Sequence, residues 1–301
     1  MKTCKNIVAI AGGMGNQMFH YALSLALENK TIRNDYLTKI GFSNYGSVLS
    51  VFSNVKLKRN TGSNFLIWFI RKCIVFTQKK NFYGIALFLL NCIRFLGINI
   101  NTDYAINKKI KHTKKPAINL YFGRFQSEKY FTEKEKFVRN IFDFDETKLS
   151  EKTQETVKRI KNENSVSVHI RRGDFLKPAN IIAFGNICTL EYYQNAITHI
   201  IKNVENPVFY IFSDDIAWVK ENLELPRAFY VNWNTGTYSW EDMYLMSQCK
   251  HNIVANSTFS WWGAWLNNYQ NKIVIRPPKY VNNDDTLSDF YPASWLKISN
   301  K

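Results

Sequence analysis

The stretch Ser165-Val166-Ser167-Val168-His169-Ile170-Arg171-Arg172-Gly173-Asp174 decides how this chain is read. Its β-branched opening predicts a buried strand over 166–169 that ends where the charges begin. In an open parallel sheet, ligands bind just beyond the carboxyl ends of the strands. The planar Arg171 guanidinium could grip a diphosphate bidentately at such a place, and His169 is close enough in sequence to touch the same ligand. The same residues would also serve as a surface turn with a salt-bridged Arg pair.

Downstream, the pattern is regular. Strands are expected over 207–212, 228–231, 252–255 and 272–276, and helices over 190–202, 215–223, 240–249 and 259–267. Alternation at this spacing predicts parallel βαβ units and a doubly wound sheet with helices on both faces. Upstream, residues 6–11 read as a strand and 18–27 as a largely buried helix. They are joined by Gly12-Gly13-Met14-Gly15-Asn16-Gln17, a tight turn whose helix start could face an anion. This turn is not G-x-G-x-x-G, so it gives little support to dinucleotide binding. A further strand is expected over 117–122, with helices over 127–137 and 147–162. The polar run 158–164 suggests a division into domains 1–160 and 161–301.

Three expected strand ends in the second half carry polar clusters, and in a parallel sheet all three lie on one edge. They are His169/Arg171/Arg172/Asp174, Ser213-Asp214-Asp215 and Asn256-Ser257-Thr258, the last followed by Phe259-Ser260. Asn, Ser and Thr favour helix N-caps, where side chains and free N–H groups can also bind phosphate. Asp214-Asp215 could hold a metal or cap the next helix; the cap is preferred, because the D-x-D of metal-dependent sugar transferases is missing. Asp242, on the helix before the third cluster, could accept from a guanine N1–H and amino group together, or be a plain surface carboxylate.

The composition is that of a folded protein, with 46% hydrophobic and 15% aromatic residues in 301. Five scattered cysteines without C-x-x-C spacing indicate neither a zinc site nor a disulfide framework, and fit a reducing cytoplasm. Residues 7–10 are too short for a secretory core, and no run of about 18 apolar residues suggests a membrane span. The net charge of +16 is uneven. Residues 1–160 hold 27 Lys+Arg against 11 Asp+Glu, whereas 161–301 hold 13 of each. Residues 56–115 hold 13 basic residues and one acid, Asp103. Within them, 64–76 and 82–98 are expected to be helices rich in apolar and aromatic residues. They read first as core helices with a basic outer face and second as helices lying on an anionic membrane, a reading to which Lys108, Lys109, Lys111, Lys114 and Lys115 add some weight. A basic nucleic-acid-binding protein is the competing class, although the basic excess lies apart from the motifs and no nucleic-acid motif is present.

His169-Ile-Arg-Arg-Gly-Asp174 resembles the H-x-R-R-x-D motif of α-1,2-, α-1,6- and protein O-fucosyltransferases. The segment from Gly12 to Ala22 resembles the N-terminal signature of the α-1,2-fucosyltransferase family, and the segment from Ser247 to Leu266 resembles its C-terminal signature. The resemblance implies a GT-B-like α/β fold of two Rossmann-type domains, with GDP-β-L-fucose in the C-terminal one. It implies inverting transfer to the 2-hydroxyl of a terminal β-galactose on a glycan, without a metal or other cofactor. Arg171 would then hold the β-phosphate, His169 and Asp242 the ribose and guanine, and Ser257, Thr258, Phe259 and Ser260 further phosphate oxygens, with Asn256 beside them. Gly13, Gly15, Asn16 and Gln17 would border fucose and acceptor. Asp174 is the nearest carboxylate for acid–base work or for orienting Arg171, and His20 is a second candidate base. A cytoplasmic enzyme, peripheral on the inner membrane and without a nucleic-acid partner, is the expected setting.

Overall fold

The computed structural model describes residues 4–28, 33–38, 48–57, 64–77, 80–103, 109–114, 116–282 and 288–299. The chain divides into two compact units, Met1–Asp143 and Phe144–Lys301. Both are α/β units built on parallel sheets.

The second unit contains strands β5 (Ser165–Ile170), β6 (Val208–Ser213), β7 (Ala228–Val231), β8 (His251–Ile253), β9 (Val274–Arg276) and β10 (Leu296–Lys297). Its helices are α5 (Glu151–Asn162), α6 (Ile181–Phe184), α7 (Leu190–Asn203), α8 (Ile216–Asn222), α9 (Trp240–Gln248) and α10 (Thr258–Leu266). The strands run in the order β10-β9-β8-β5-β6-β7, and every pair is parallel. Renumbered within the unit, this is the Rossmann order 3-2-1-4-5-6, whose switch point falls between β5 and β8.

Side-chain alternation along β5 divides its two faces. Val166, Val168 and Ile170 join an apolar cluster with Tyr192, Tyr193, Ala196, Ile197 and Ile200 of α7, Val219 of α8 and Leu223 just after it. Ser165, Ser167 and His169 point the other way. There Ser167 Oγ accepts from Asn252 Nδ2 at 2.7 Å, and the same amide donates to Met246 O of α9 at 2.8 Å. Asn267 Nδ2 donates to Asn252 Oδ1 at 2.7 Å, so this buried polar row is satisfied internally. On this face α9 and α10 approach closely, because a Cβ on Gly263 would lie 2.8 Å from Met246 Cβ. Trp261, Trp262 and Trp265 fill the surrounding core, and Trp261 Nε1 donates to Phe290 O at 2.8 Å.

The division of the chain differs from the expected 160/161. Helix α5 belongs to the second unit because its N-cap is tied to α9. The fully buried Glu241 accepts from Ser150 Oγ at 2.6 Å and faces the Ser150 N–H at 3.3 Å. The polar run 158–164 is therefore the exposed end of a docked helix. The edge strand β10 was also not foreseen; at two residues it is too short to show a period.

The first unit contains β1 (Lys5–Ile10), β2 (Arg33–Thr38), β3 (Ile98–Asn101) and β4 (Ile118–Tyr121), in the parallel order β2-β1-β4-β3. Its helices are α1 (Met14–Ala26), α2 (Asn64–Phe76), α3 (Tyr83–Ile93) and α4 (Glu135–Ile141). The helix expected over 82–98 stops at Ile93. A short 3-10 turn, Arg94–Leu96, leads into Gly97 in the left-handed region (φ 73°), and β3 begins at once. The helix expected over 127–137 is replaced by two 3-10 turns ahead of α4. No helix among the described residues is long and apolar enough to cross a membrane.

Glu241→Ala should leave the Ser150 donors buried without an acceptor. The expected cost is about 2–3 kcal/mol, given that a lost bond to a charged group is worth roughly 1.5–3 kcal/mol. A lower urea midpoint for the second unit checks it.

Candidate active site

The switch point places the ends of β5 and β8 side by side, with Val168 paired to Ile253. The His169–Asp174 turn leaves the first, and Val254–Ser257 leads from the second into α10. These two segments share one edge with the β6 end carrying Ser213-Asp214-Asp215 and the N-terminal turn of α9 carrying Asp242, so four of the expected site segments meet there.

His169 is 6% exposed, on the parity that faces α10, with its ring 5.8 Å from that of Phe259. Its backbone carbonyl accepts from Tyr193 Oη at 3.1 Å. Its buried Nδ1 has no hydrogen-bond partner. Burial, reinforced by the nearby Arg171 charge, pushes its pKa down to about 3. The imidazole is neutral at physiological pH, so it can meet a ligand only as a hydrogen-bonding group.

Arg171 is held by two carboxylates. Its Nε lies 2.8 Å from Asp174 Oδ1 and 3.2 Å from Asp214 Oδ2. Asp214 also accepts from the Arg172 backbone N–H at 2.9 Å. A Cβ on Gly173 would come within 2.9 Å of Asp214 Oδ2, which explains the glycine in the motif. Arg172 is turned away from this role. Its Nε lies 3.1 Å from Asp215 Oδ2 and its guanidinium 3.8 Å from the centre of the Trp218 ring. Asp215 in turn caps α8 through Trp218 N at 3.1 Å. The second Arg of the motif is thus engaged by Asp215 and Trp218, while Asp174 and Asp214 together hold Arg171.

At the start of α10, Ser257 is the N-cap, its Oγ accepting from Phe259 N at 3.3 Å. Ser257, Thr258 and Ser260 are buried and Phe259 is half-buried at this helix N-terminus. Capping leaves the remaining first-turn N–H groups and the positive end of the dipole for an anion. The Asn256 side chain has a different job. Its Nδ2 donates to Phe184 O and Tyr280 O, both at 3.1 Å, and its Oδ1 accepts from Cys188 Sγ. It ties two loops to the β8 end, and its amide is spent on them.

Asp242 accepts from Asn234 Nδ2 at 2.9 Å. Burial, opposed by that bond and aided by the neighbouring Glu241, raises its pKa to about 7. A carboxyl placed this way is no ordinary surface Asp, and a strongly perturbed group at a ligand-binding edge is a functional-site candidate. Arg276 was not anticipated. It ends β9, beside β8, on the same edge, with its Nη1 donating to Pro277 O and Pro278 O at 3.2 Å each and its buried Nε unpartnered. The strand expected over 272–276 ends on it, but nothing in the pattern singled out that last residue. Asp214 could have been weighted more heavily, since it immediately follows β6 on the edge where β5 ends.

In the first unit, α1 begins at Met14, four residues before the expected start, because Gly13 is its N-cap. Gly15, Asn16 and Gln17 therefore lie in its first turn and not in a loop. Gly12 has φ 82°, and a Cβ there would lie 2.6 Å from Asn16 Nδ2. Gln17 Nε2 donates to Gly12 O at 2.9 Å, and Asn16 Oδ1 accepts from Gln126 Nε2 at 2.7 Å. His20 is buried with both ring nitrogens engaged. Nδ1 accepts from Ala11 N at 3.3 Å and Nε2 faces Gly123 O at 2.9 Å, while burial lowers its pKa. It pins the turns after β1 and β4 together at the switch point of this sheet, which removes it as a candidate base.

Such an edge, with a clamped Arg beside a capped helix start, belongs to a Rossmann-type unit able to bind a phosphorylated nucleotide. The model of the family described as glycosyl transferase family 11 matches residues 2–299. An alpha-1,2-colitosyltransferase of Escherichia coli is 33% identical over 97% of this chain and 98% of that protein. The O-antigen biosynthesis glycosyltransferase WbnK of Escherichia coli is 30% identical over 96% and 99%. The galactoside 2-alpha-L-fucosyltransferase Sec1 of Mus musculus is 32% identical over 34% of this chain and 28% of that protein. The chain belongs to glycosyl transferase family 11 and is a glycosyltransferase.

Gly173→Ala should displace Asp214 and misalign Arg171. Turnover is expected to fall about tenfold or more, given the sensitivity of rate to about 1 Å misplacements, with little change in melting temperature. Steady-state kinetics alongside thermal unfolding separates the two.

Proposed function

We propose that the chain transfers L-fucose from GDP-β-L-fucose to the 2-hydroxyl of a terminal β-galactose on a glycan, inverting the anomeric centre and needing no metal. The observation that carries this reading is Arg171, held by Asp174 and Asp214 at the β5 end beside the N-terminus of α10. Breaking the fucosyl–phosphate bond builds negative charge on the leaving GDP. A fixed guanidinium and a helix N-terminus stabilise that charge with little reorganisation. Neutral His169 offers Nδ1 to a ribose hydroxyl. Asp242, as carboxylate, would accept from the guanine N1–H and amino group. Gly13, Gly15, Asn16 and Gln17, at the carboxyl edge of the first unit's sheet, are the proposed border of fucose and acceptor. The 30% identity to the O-antigen biosynthesis glycosyltransferase WbnK supports a surface glycan such as an O-antigen as the acceptor.

A second donor is favoured by one observation, the 33% identity to a colitosyltransferase along the whole chain. Colitose is the 3-deoxy counterpart of L-fucose, so both would occupy the same clamp. Turnover of GDP-fucose against GDP-colitose decides, and the proposal expects the larger kcat/KM for GDP-fucose. The competing class, a nucleic-acid-binding protein without transferase activity, is set aside because the chain belongs to a glycosyltransferase family.

Arg171→Ala is expected to lower kcat about 10²–10³-fold, the scale for one preorganised charge-stabilising group, with the fold intact by circular dichroism. Unchanged turnover would remove Arg171 from the chemistry.

The Asp242 carboxyl gives a pH test. Guanine needs the ionised form, so binding below pH 7 must first expel a proton. The ratio of GDP affinities, wild type over Asp242→Asn, should rise up to about tenfold per pH unit below 7 and level off above it. Phosphate ionisation is common to both proteins and cancels in the ratio. A flat ratio would take Asp242 away from the base.

A further inference from the structure

Helices α2 and α3 seat one side of themselves in their own core. Ile70, Cys73 and Ile74 of α2 and Leu90 and Ile93 of α3 pack with Ile98 and Ile100 of β3 and Leu120 of β4. The opposite side of α3 is apolar as well. Ile85 is 63% exposed and Phe88 67%, and the stripe continues through Phe95 at 77% and Leu96 at 68%. The positions 82, 85, 88 and 95/96 repeat at helical spacing, with Phe82 and, on α2, Trp68 also exposed. A soluble surface helix normally carries polar residues there, and a contiguous apolar stripe of this kind marks a contact surface.

The rim of the stripe is basic. Lys109 Nζ lies 5.1 Å from the Tyr83 ring centre, Lys72 Nζ 5.7 Å from that of Trp68, and the Arg94 guanidinium 4.7 Å from that of Phe95. Asn91 Oδ1 accepts from Lys111 N at 2.7 Å, which lays the basic segment 109–114 along α3. Lys109, Lys111 and Lys114 are exposed; Lys108 and Lys115 lie outside the described residues. An apolar stripe with an aromatic and cationic rim matches an anionic bilayer, whose acyl boundary takes the rings and whose head groups take the ammonium groups. A second copy of this chain is a poor occupant, because the same cations would face one another across the contact, in a molecule of net charge +16.

We infer that the outer face of α2 and α3 is a membrane-docking surface that inserts its α3 aromatic and aliphatic stripe into the interface of an anionic phospholipid leaflet. The inference does not depend on which sugar or acceptor the enzyme uses. Docking of this kind would hold the enzyme where membrane-embedded acceptors are presented.

The test is co-sedimentation of the full chain with vesicles of phosphatidylcholine alone or with 30% phosphatidylglycerol, at 0.1 M and 1 M NaCl. Binding is expected to the anionic vesicles and to fall at least tenfold at 1 M salt, where the screening length drops from about 10 Å to about 3 Å. Phe88→Asp should abolish binding at both salts. Lys109→Glu with Lys111→Glu should weaken it roughly fivefold or more per residue while leaving any neutral-vesicle binding unchanged. All of these residues are exposed, and melting temperatures should confirm intact folding. Equal binding to neutral and anionic vesicles, no binding to either, or a concentration-dependent dimer by light scattering that Phe88→Asp dissolves without any vesicle binding would each overturn the inference.

Discussion

Alternation along one central strand is the constraint on which the second unit depends. β5 lies between β6 and β8 in the Rossmann order, with α7 and α8 over one face and α9 and α10 over the other, so both its faces are buried. Val166, Val168 and Ile170 supply the apolar face under α7 and α8. The opposite parity must fit under α9 and α10, which approach closely at Gly263, and small Ser165 and Ser167 occupy it. His169 continues that parity at the strand end and so faces the start of α10. A register slip of one residue would turn His169 towards α7 and break the Ser167–Asn252–Asn267 row. The ligand-facing edge is therefore a continuation of the packing pattern.

The charges on that edge follow a consistent logic. Arg171 is surrounded by carboxylates that fix its direction, so its guanidinium need not reorganise when an anion arrives. Arg172 is withdrawn onto Asp215 and Trp218, whereas Arg171 stays at the strand end between Asp174 and Asp214. His169 is kept neutral by burial and by its charged neighbour, while Asp242 is held near the point of ionisation by its own burial. These groups differ in protonation because their surroundings differ, and each is suited to a different part of a nucleotide.

Much of this was legible in the sequence. The β/α alternation after residue 160, the strand ending at the H-x-R-R-G-D turn and the Ser257 cap all follow from periodicity and capping chemistry. Tertiary pairing hid the rest. Whether Arg171 or Arg172 faces a ligand depends on Asp214 and Asp215, which lie some forty residues away and reach the motif only because β6 pairs with β5. Asn256 looks like a phosphate ligand in sequence and is a loop tie, because Phe184 and Tyr280 bring their carbonyls to it. The domain division was misplaced for a related reason. The polarity of 158–164 resembles a linker, and only the buried Glu241 shows that α5 is anchored to α9. In the first unit, β3 escaped notice because Ile98–Asn101 continues the apolar run of α3, and Gly97 alone marks the break.

The most direct test of the account is release of GDP from GDP-fucose in EDTA, with and without lactose or N-acetyllactosamine. The account predicts that acceptor stimulates release and that the product carries an α-1,2 linkage. Absence of release with every acceptor, together with absence of GDP binding, would contradict the assignment of the β5–β8 edge as a nucleotide-sugar site.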